Sequence, residues 1–387
     1  MLTKAAEPIR IGAKLVKNRV TFAPTVKFDW TDGSGVAIDR FRRHYLLRAQ
    51  GGVGLICVEA TCVEPGGRLA ASQLGLWEDG QIAGHRAITD ACHGEGTVLL
   101  VQLHHAGATT HPAVGEGFGP SAVERYGRAC GELSLSRIHE IRDAFIAAAR
   151  RAQAAGYDGV QLHGCHGYLI NQFISPAMNQ RTDEYGGSIE NRARFGCEII
   201  QGIRAACGPD FLISVRHAAA EPTLEDSAAI AHRYIDAGMD YLQLSDGIGP
   251  SQADCPADYP YNKVVWMGVE LRKRIQGRVP VSVVNSIFTP QQARDLIDQD
   301  QADTVDAARA LLADPAWARA VTEGADYLPC RQCRACFWSP FMPHRCPVVA
   351  LRRQKDPDCP DYTKDDRPMP EFPFRPAPKN TELKENT

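Results

Sequence analysis

The chain reads as an α/β protein built on a closed (β/α)8 TIM barrel, and three observations carry that expectation. Short apolar runs alternate with helix-like stretches eight times. The runs look continuous rather than alternating, which marks parallel strands covered on both faces. The eight units fill roughly 300 residues, against about 250 for such a barrel before insertions. A doubly wound open sheet is the structural alternative. With 387 residues, 44% of them apolar, there is material for one large core plus appendages.

In order, the spacing predicts a strand at Val20–Ala23, a helix at Ile38–Gln50 and a strand at Gly54–Val58. A helix at Ile82–His93 and a strand at Val98–Leu103 follow, then a Gly- and Pro-rich loop from Ala106 to Leu135. Ser136–Ala155 has an alanine-rich helical face, with Ser134 or Ser136 as N-cap. The remaining strands are expected at Gly159–Leu162, Phe211–Val215, Tyr241–Leu244, Val279–Val284 and Asp303–Asp306. Their helices are expected at Ile189–Ala206, Asp226–Ala237, Val264–Ile275, Pro290–Asp298 and Ala307–Leu312. Residues 1–325 would form the barrel, 326–350 a cysteine segment and 351–387 an extended or disordered tail.

The net charge of −3 suggests neither a nucleic-acid nor a membrane-surface partner. No apolar run approaches spanning length and MLTKAAEPIRIG lacks a signal-peptide core, so the expected setting is cytoplasmic. Thirteen cysteines, an odd number scattered along such a chain, argue against a disulfide framework.

Barrel enzymes place their chemistry at the C-terminal ends of strands. Here those ends read Ala23-Pro24-Thr25, Glu59-Ala60-Thr61, Gln102, His163, Arg216-His217, Ser245-Asp246, Asn285-Ser286 and Ala308-Arg309. Together they describe a ring for a polar, planar, phosphorylated ligand. The Gln102 amide suits a ring edge with alternating N–H and C=O, such as a flavin pyrimidine, and Arg216 would place positive charge beside it. Arg309 and nearby backbone N–H groups suit a phosphate, although a surface arginine is an even reading of the same spacing. His163 and His166 would donate two hydrogen bonds to one substrate oxygen, polarising a conjugated carbonyl so that hydride adds at the β-carbon. Tyr168 would deliver the proton to the α-carbon. A zinc site is the rival, but neither a carboxylate nor a third histidine is evident nearby in sequence.

A second group of residues stands apart. Cys330, Cys333 and Cys336 lie at two-residue gaps, with Cys346 beyond a loop. Four thiolates so spaced suit a [4Fe–4S] cluster or a tetrahedral zinc equally well.

At these residues the chain resembles the Old Yellow Enzyme family of FMN-dependent oxidoreductases. The matching pieces are LVKNRVTFAPT, GGVGLICVEAT, VQLHHAG, SVRHA and ARALLADP, with HGCHGYLINQFISPAMNQRTDEYGGSIENR the most specific. The resemblance implies FMN at the strand C-termini. Pro24, Thr25 and Ala60 would touch the flavin, Gln102 and Arg216 would bind its pyrimidine edge, and Asn285, Ser286, Ala308 and Arg309 would form the phosphate side. His163 and His166 match the pair that holds the substrate oxygen, and Tyr168 the proton donor of some members. Val26 stands where relatives often carry Thr or Cys, Asn285-Ser286 replaces a glycine-containing loop, Ala308 a glycine, and Ala108 a common arginine. The position of the cysteines, after the last barrel helix, is that of the family's iron–sulfur branch, similar to trimethylamine dehydrogenase and 2,4-dienoyl-CoA reductase. That branch favours [4Fe–4S] over zinc.

The leading function is therefore reduction, or formation, of a C=C bond conjugated to a carbonyl in a small-molecule substrate. An amine dehydrogenase or N-demethylase is the alternative, with Trp30, Tyr259, Tyr261 and Trp266 as a candidate cation pocket. A non-catalytic electron-transfer subunit is a third reading, which the His-x-x-His-x-Tyr constellation argues against. NAD(P)H is a candidate external reductant. A separate electron-transfer protein or a nucleotide-binding subunit is a candidate partner, and a homo-oligomer a candidate assembly.

Overall fold

The computed structural model describes residues 3–28, 30–248, 253–333, 336 and 346–355. Its eight parallel strands are β1 (Val20–Phe22), β2 (Leu55–Cys62), β3 (Val98–His104), β4 (Gly159–Gly164), β5 (Leu212–Ala218), β6 (Tyr241–Ser245), β7 (Val281–Val284) and β8 (Thr304–Ala307). Each pairs with the next, and β8 pairs with β1, so the sheet closes. Closure excludes the open doubly wound alternative.

The strands are not uniformly apolar. Every second residue points inward, and the register aligns these residues across β3, β4 and β5, while β6 is offset by two, Ser214 pairing with Tyr241 and Arg216 with Gln243. Leu100, Gly159 and Leu212 stand at the first level, where Tyr241 packs with Leu100 and Leu212. Gln102, Gln161 and Ser214 stand at the second, with Gln243 hydrogen-bonded to Gln161 and Ser214. His104, His163 and Arg216 stand at the third, with Ser245 accepting from Arg216. The outward positions, among them Leu99, Val101, Val160, Leu162, Ile213 and Val215, are buried beneath the helices. Apolar outward residues and large polar inward ones together give what looks in sequence like an unbroken run. Below the first level a hairpin, Ile9–Ile11 with Lys14–Val16, plugs the barrel. Its Ile11 and Val16 pack on Leu55, Cys57, Val98, Leu100, Leu212 and Tyr241.

The helices largely keep their expected limits. The helix at Leu135–Ala154 takes Ser134 as N-cap, its hydroxyl accepting from Arg137 N. Thr289 and Gln292 form a reciprocal capping box ahead of Pro290–Asp298. Three features were not legible. Leu169–Ile174 is a short helix right after the histidine loop. Trp317–Glu323 is a further helix, and Pro347–Lys355 continues as helix through Leu351, where an extended tail was expected to begin. The rest of that tail lies outside the described residues. The Ala106–Leu135 loop is partly ordered by the pairing of Phe118–Gly119 with Gly131–Glu132. Among the described residues no helix is long and apolar enough to cross a membrane.

Trp317 ties the late helices to the barrel. It is fully buried, and its Nε1–H donates to Phe288 O at 2.8 Å. Trp317→Ala is expected to lower the unfolding free energy by about 3–5 kcal/mol, read from the urea midpoint. Leu15→Ala, at a 61% exposed position, should stay within about 0.5 kcal/mol. Equal losses in the two variants would contradict this assignment of the core.

Candidate active site

The second and third inward levels make the site. At the second, a chain of amides crosses the barrel. Gln102 Nε2 donates to Gln161 Oε1 at 2.6 Å, and Gln161 Nε2 donates to Gln243 Oε1. Gln243 Nε2 donates to both carboxylate oxygens of Asp306 at 2.8 Å. Thr21 Oγ1 donates to the same carboxyl. An ionised carboxylate only accepts, so Asp306 sets the direction of every amide in the chain and leaves Gln102 Oε1 as the remaining acceptor. Burial nevertheless raises the Asp306 pKa, opposed by its hydrogen bonds and by Arg216.

The third level is a row of imidazoles. His104 Nδ1 lies 3.0 Å from His163 Nδ1, His163 Nε2 lies 3.0 Å from His166 Nδ1, and His166 Nε2 lies 2.7 Å from Ser245 Oγ. His166 reaches this position because it takes a left-handed backbone, φ 61°, with its N–H bonded to Asp246 O. Gly167 follows at φ 76°, where an added Cβ would collide with Arg125. Tyr168 then stacks edge-on, with ring centroids 4.6 Å from His104 and 4.7 Å from His163. Among the described residues no carboxylate hydrogen-bonds to these rings. Burial, neighbouring imidazoles and Arg216 hold His163 well below its ordinary value, and burial with Arg216 brings His166 to about 3. Burial pushes the Tyr168 phenol up to about 12. Neutral imidazoles and a protonated phenol are hydrogen-bond donors near pH 7.

Beside them lies a cavity of about 220 Å³, lined by His166, Arg216, Asn285, Ser286, Ala308 and Arg309 among others. Asn285 and Ser286 take φ values of 97° and 57°, so the turn keeps a left-handed path where relatives were expected to use glycine. Arg309 donates to Ser286 Oγ at 3.3 Å and lies over the Phe288 ring at 4.6 Å. Arg216 is buried, and its Nε has no partner among the described residues; nor has the Oγ1 of Thr25. Pro24 and Thr25 leave β1, and Ala60 sits in β2 at a register shift between Val58 and Thr61. Just behind, Lys27 N donates to Glu59 Oε1 at 2.6 Å and Lys27 Nζ to Thr25 O at 2.8 Å. Burial lowers Lys27 and raises Glu59.

His163, His166, Arg216, Asn285, Ser286, Ala308 and Arg309 thus converge, with Tyr168 and Gln102 adjoining. Sequence reasoning missed His104 as a third imidazole, and Gln161, Gln243 and Asp306 as support. A signal existed: V-Q-L-H occurs twice, at residues 101–104 and 160–163, and pairing places one copy beside the other. The expected aromatic pocket is not assembled. Trp30 packs on Phe41 and His44, Tyr259 pairs with Tyr261, and neither they nor Trp266 line the cavity.

Among the described residues Cys330, Cys333, Cys336 and Cys346 form no disulfide. Burial raises Cys330, with Cys346 and Cys336 adding to the rise and Arg309 opposing it. Cys336 also acts electrostatically on Lys27. The cysteine segment therefore neighbours both the arginine side of the cavity and the lysine behind Thr25.

The profile of the NADH:flavin oxidoreductase / NADH oxidase family matches residues 5–327. The chain is 38% identical over 340 residues to an NADH oxidase of Thermoanaerobacter brockii, covering 84% of this chain and 52% of the relative. It is 35% identical over 322 residues to an NADPH dehydrogenase of Bacillus licheniformis, covering 81% and 92%. Among solved structures, a 2-naphthoyl-CoA reductase in complex with 2-naphthoyl-CoA superposes with a TM-score of 0.79 at 30% identity, covering 86% of this chain and 54% of that one. Morphinone reductase does so with 0.73 at 26%, covering 86% and 92%. The chain spans about half the length of the NADH oxidase and of the 2-naphthoyl-CoA reductase.

Because the His166 pKa of about 3 lies below the unfolded value of about 6.5, the unfolded chain takes up this proton first as pH falls. The neutral ring's contribution is complete above about pH 6.5 and is lost progressively below it. Replacing His166 with Asn should therefore reduce the wild-type loss of unfolding free energy between pH 6.5 and 5 by about 1–2 kcal/mol. Parallel stability curves for the two proteins over that interval would contradict a neutral His166.

Proposed function

The chain belongs to the NADH:flavin oxidoreductase / NADH oxidase family, and from that premise we propose that it is an FMN-dependent oxidoreductase acting on a C=C bond conjugated to a carbonyl. NAD(P)H serves as external reductant, and a [4Fe–4S] cluster relays electrons. The observation that carries the reading is the row of neutral imidazoles beside a buried arginine and a protonated phenol.

The residues present fit FMN. Arg216 Nε and Thr25 Oγ1 are buried polar atoms without a partner among the described residues, and leaving such atoms unpaired costs about 1–3 kcal/mol each. A polar ring edge would satisfy them. Gln102, its amide oriented by the Asp306 chain, would accept from a ring N–H, and Arg216 would face the ring carbonyl. Pro24 and Ala60 would pack on the ring, while Arg309, Ser286, Asn285 and the backbone at Ala308 would hold the phosphate. FMN, when bound there, supplies hydride chemistry.

The chain's own residues then bind and polarise the substrate. An oxygen between His163 Nε2 and His166 Nδ1 receives hydrogen bonds from donors kept out of water, where they stabilise developing negative charge most strongly. Arg216 adds positive charge to the same region. Tyr168, held protonated, presents a proton beside the His163 ring. 2-Naphthoyl-CoA, named in a structural neighbour, is a conjugated thioester and fits this substrate class.

The cysteine segment supports the iron–sulfur part of the reading. Four cysteines outside disulfides among the described residues, three of them acting on one another or on Lys27 electrostatically, give Cys330, Cys333, Cys336 and Cys346 the chemistry of cluster ligands. Single-electron relay to a protein partner or a nucleotide-binding subunit is what such a cluster supplies.

Anaerobically purified protein should carry FMN, with about four iron and four sulfide per chain, and Cys333→Ser should lose most of the iron while keeping flavin. Zinc in place of iron would remove the electron-relay part alone. His163→Ala and His166→Ala should each lower kcat/KM for cyclohex-2-enone by about 10²-fold with FMN content unchanged. Undiminished turnover in both variants would defeat the assignment of the pair.

A further inference from the structure

We propose that His104 is a positioning residue that fixes His163 as an Nε2–H donor toward the substrate oxygen. The inference rests on the reading of His163 as an oxygen-holding group, but the step that yields it is a matter of hydrogen-bond counting within the protein.

His104 is fully buried on β3, and its two ring nitrogens have very different surroundings. Nδ1 lies 3.0 Å from His163 Nδ1. Nε2 is buried with no partner among the described residues. Burial, with repulsion from neighbouring imidazoles, holds the ring well below its ordinary pKa, so it is neutral and carries one hydrogen. Orphaned buried N–H donors are rarer than under-satisfied acceptors, so the hydrogen sits on Nδ1 and Nε2 is bare. His163 Nδ1 must then accept. His163 is neutral as well, and its single hydrogen is therefore on Nε2, the nitrogen that faces His166 Nδ1 at 3.0 Å. A carbonyl or anionic oxygen arriving between the two rings finds this hydrogen already in place.

His166 is held differently. Its Nε2 meets Ser245 Oγ at 2.7 Å, and a hydroxyl donates or accepts. Arg216 Nη2 donates to the same oxygen at 3.4 Å, which occupies one lone pair and leaves the hydroxyl free to accept from His166 or donate to it. With the site empty, His166 accepts at Nδ1 from His163 and keeps its hydrogen on Nε2. With an oxygen bound, the hydrogen sits on Nδ1 and Ser245 donates to Nε2. That change exchanges one hydrogen between two nitrogens of the same ring, and the ring stays neutral throughout. One imidazole of the pair is thus a fixed donor and the other an adjustable one.

The test uses the full-length, FMN-loaded chain labelled with [15N]histidine. In long-range 1H–15N spectra at pH 7.5 without substrate, His163 should show a protonated Nε2 and a bare Nδ1. His104 should show the opposite. Signals are assigned by their loss in His104→Asn and His163→Asn. A hydrogen on His163 Nδ1 would overturn the proposal. In His104→Leu, kcat/KM for cyclohex-2-enone should fall about tenfold or more and the His163 tautomer should become mixed. His104→Asn, whose amide can still donate to His163 Nδ1, should restore most of the rate and the tautomer. Retention of both by the leucine variant would equally overturn the proposal. If wild type binds FMN yet reduces no enone, the proposed function fails while the tautomer spectra still decide the role of His104.

Discussion

Closing a parallel sheet into a barrel seals alternate residues of every strand in a space without water. Whatever polar group the sequence places there must find a partner inside or keep an unmet hydrogen bond, at about 1–3 kcal/mol for each group. In this chain the constraint is sorted by height. The lowest level is apolar and plugged by the hairpin residues Ile11 and Val16. The middle level is amide and carboxyl groups that satisfy one another from Gln102 through Asp306. The upper level is left incomplete, with atoms on Arg216 and His104 that have no partner among the described residues. A site arises where internal pairing runs out.

The same dryness decides protonation. Desolvation disfavours charged forms, and among the described residues no carboxylate pairs with the rings of His104, His163 and His166 to oppose it. Arg216, always charged, pushes His163 and His166 further toward neutrality. A charged imidazolium pair would bind an anion more tightly, but it would also stabilise ground state and transition state alike. In the proposed reaction, neutral donors beside a fixed cation would favour a bound oxygen more as charge develops on it, which is the differential effect that catalysis requires. Tyr168, edge-on to two of these rings, keeps its proton for the same reason of burial.

The back of the site is organised around β1 and β2. Lys27 spans Glu59 and Thr25 O with its backbone and ammonium groups, and it also senses Cys336. One buried cation therefore adjoins both the loop proposed to meet the flavin and the thiol segment proposed to hold iron. Arg309 has a similar double position, on the cavity wall and within electrostatic reach of Cys330.

Much was determined by sequence alone. Eight short, buried strands separated by helices dictated a parallel α/β sheet, because such strands need helical cover, and their count favoured a barrel, which closure then settled against the open sheet. His163, His166 and Tyr168 were legible because such residues at a strand exit do nothing for packing. The family was legible in HGCHGYLINQF and its neighbours. Tertiary structure decided what depends on register. His104 lies 59 residues from His163, and only pairing of β3 with β4 sets one V-Q-L-H beside the other. Asp306 looked like the end of an apolar strand until closure brought it within 2.8 Å of Gln243. Hydrogen bonds between distant strands, and the protonation states that follow from them, are properties of the closed barrel. They depend on which side chains face one another across a dry interior, and linear order does not encode that until the sheet has closed.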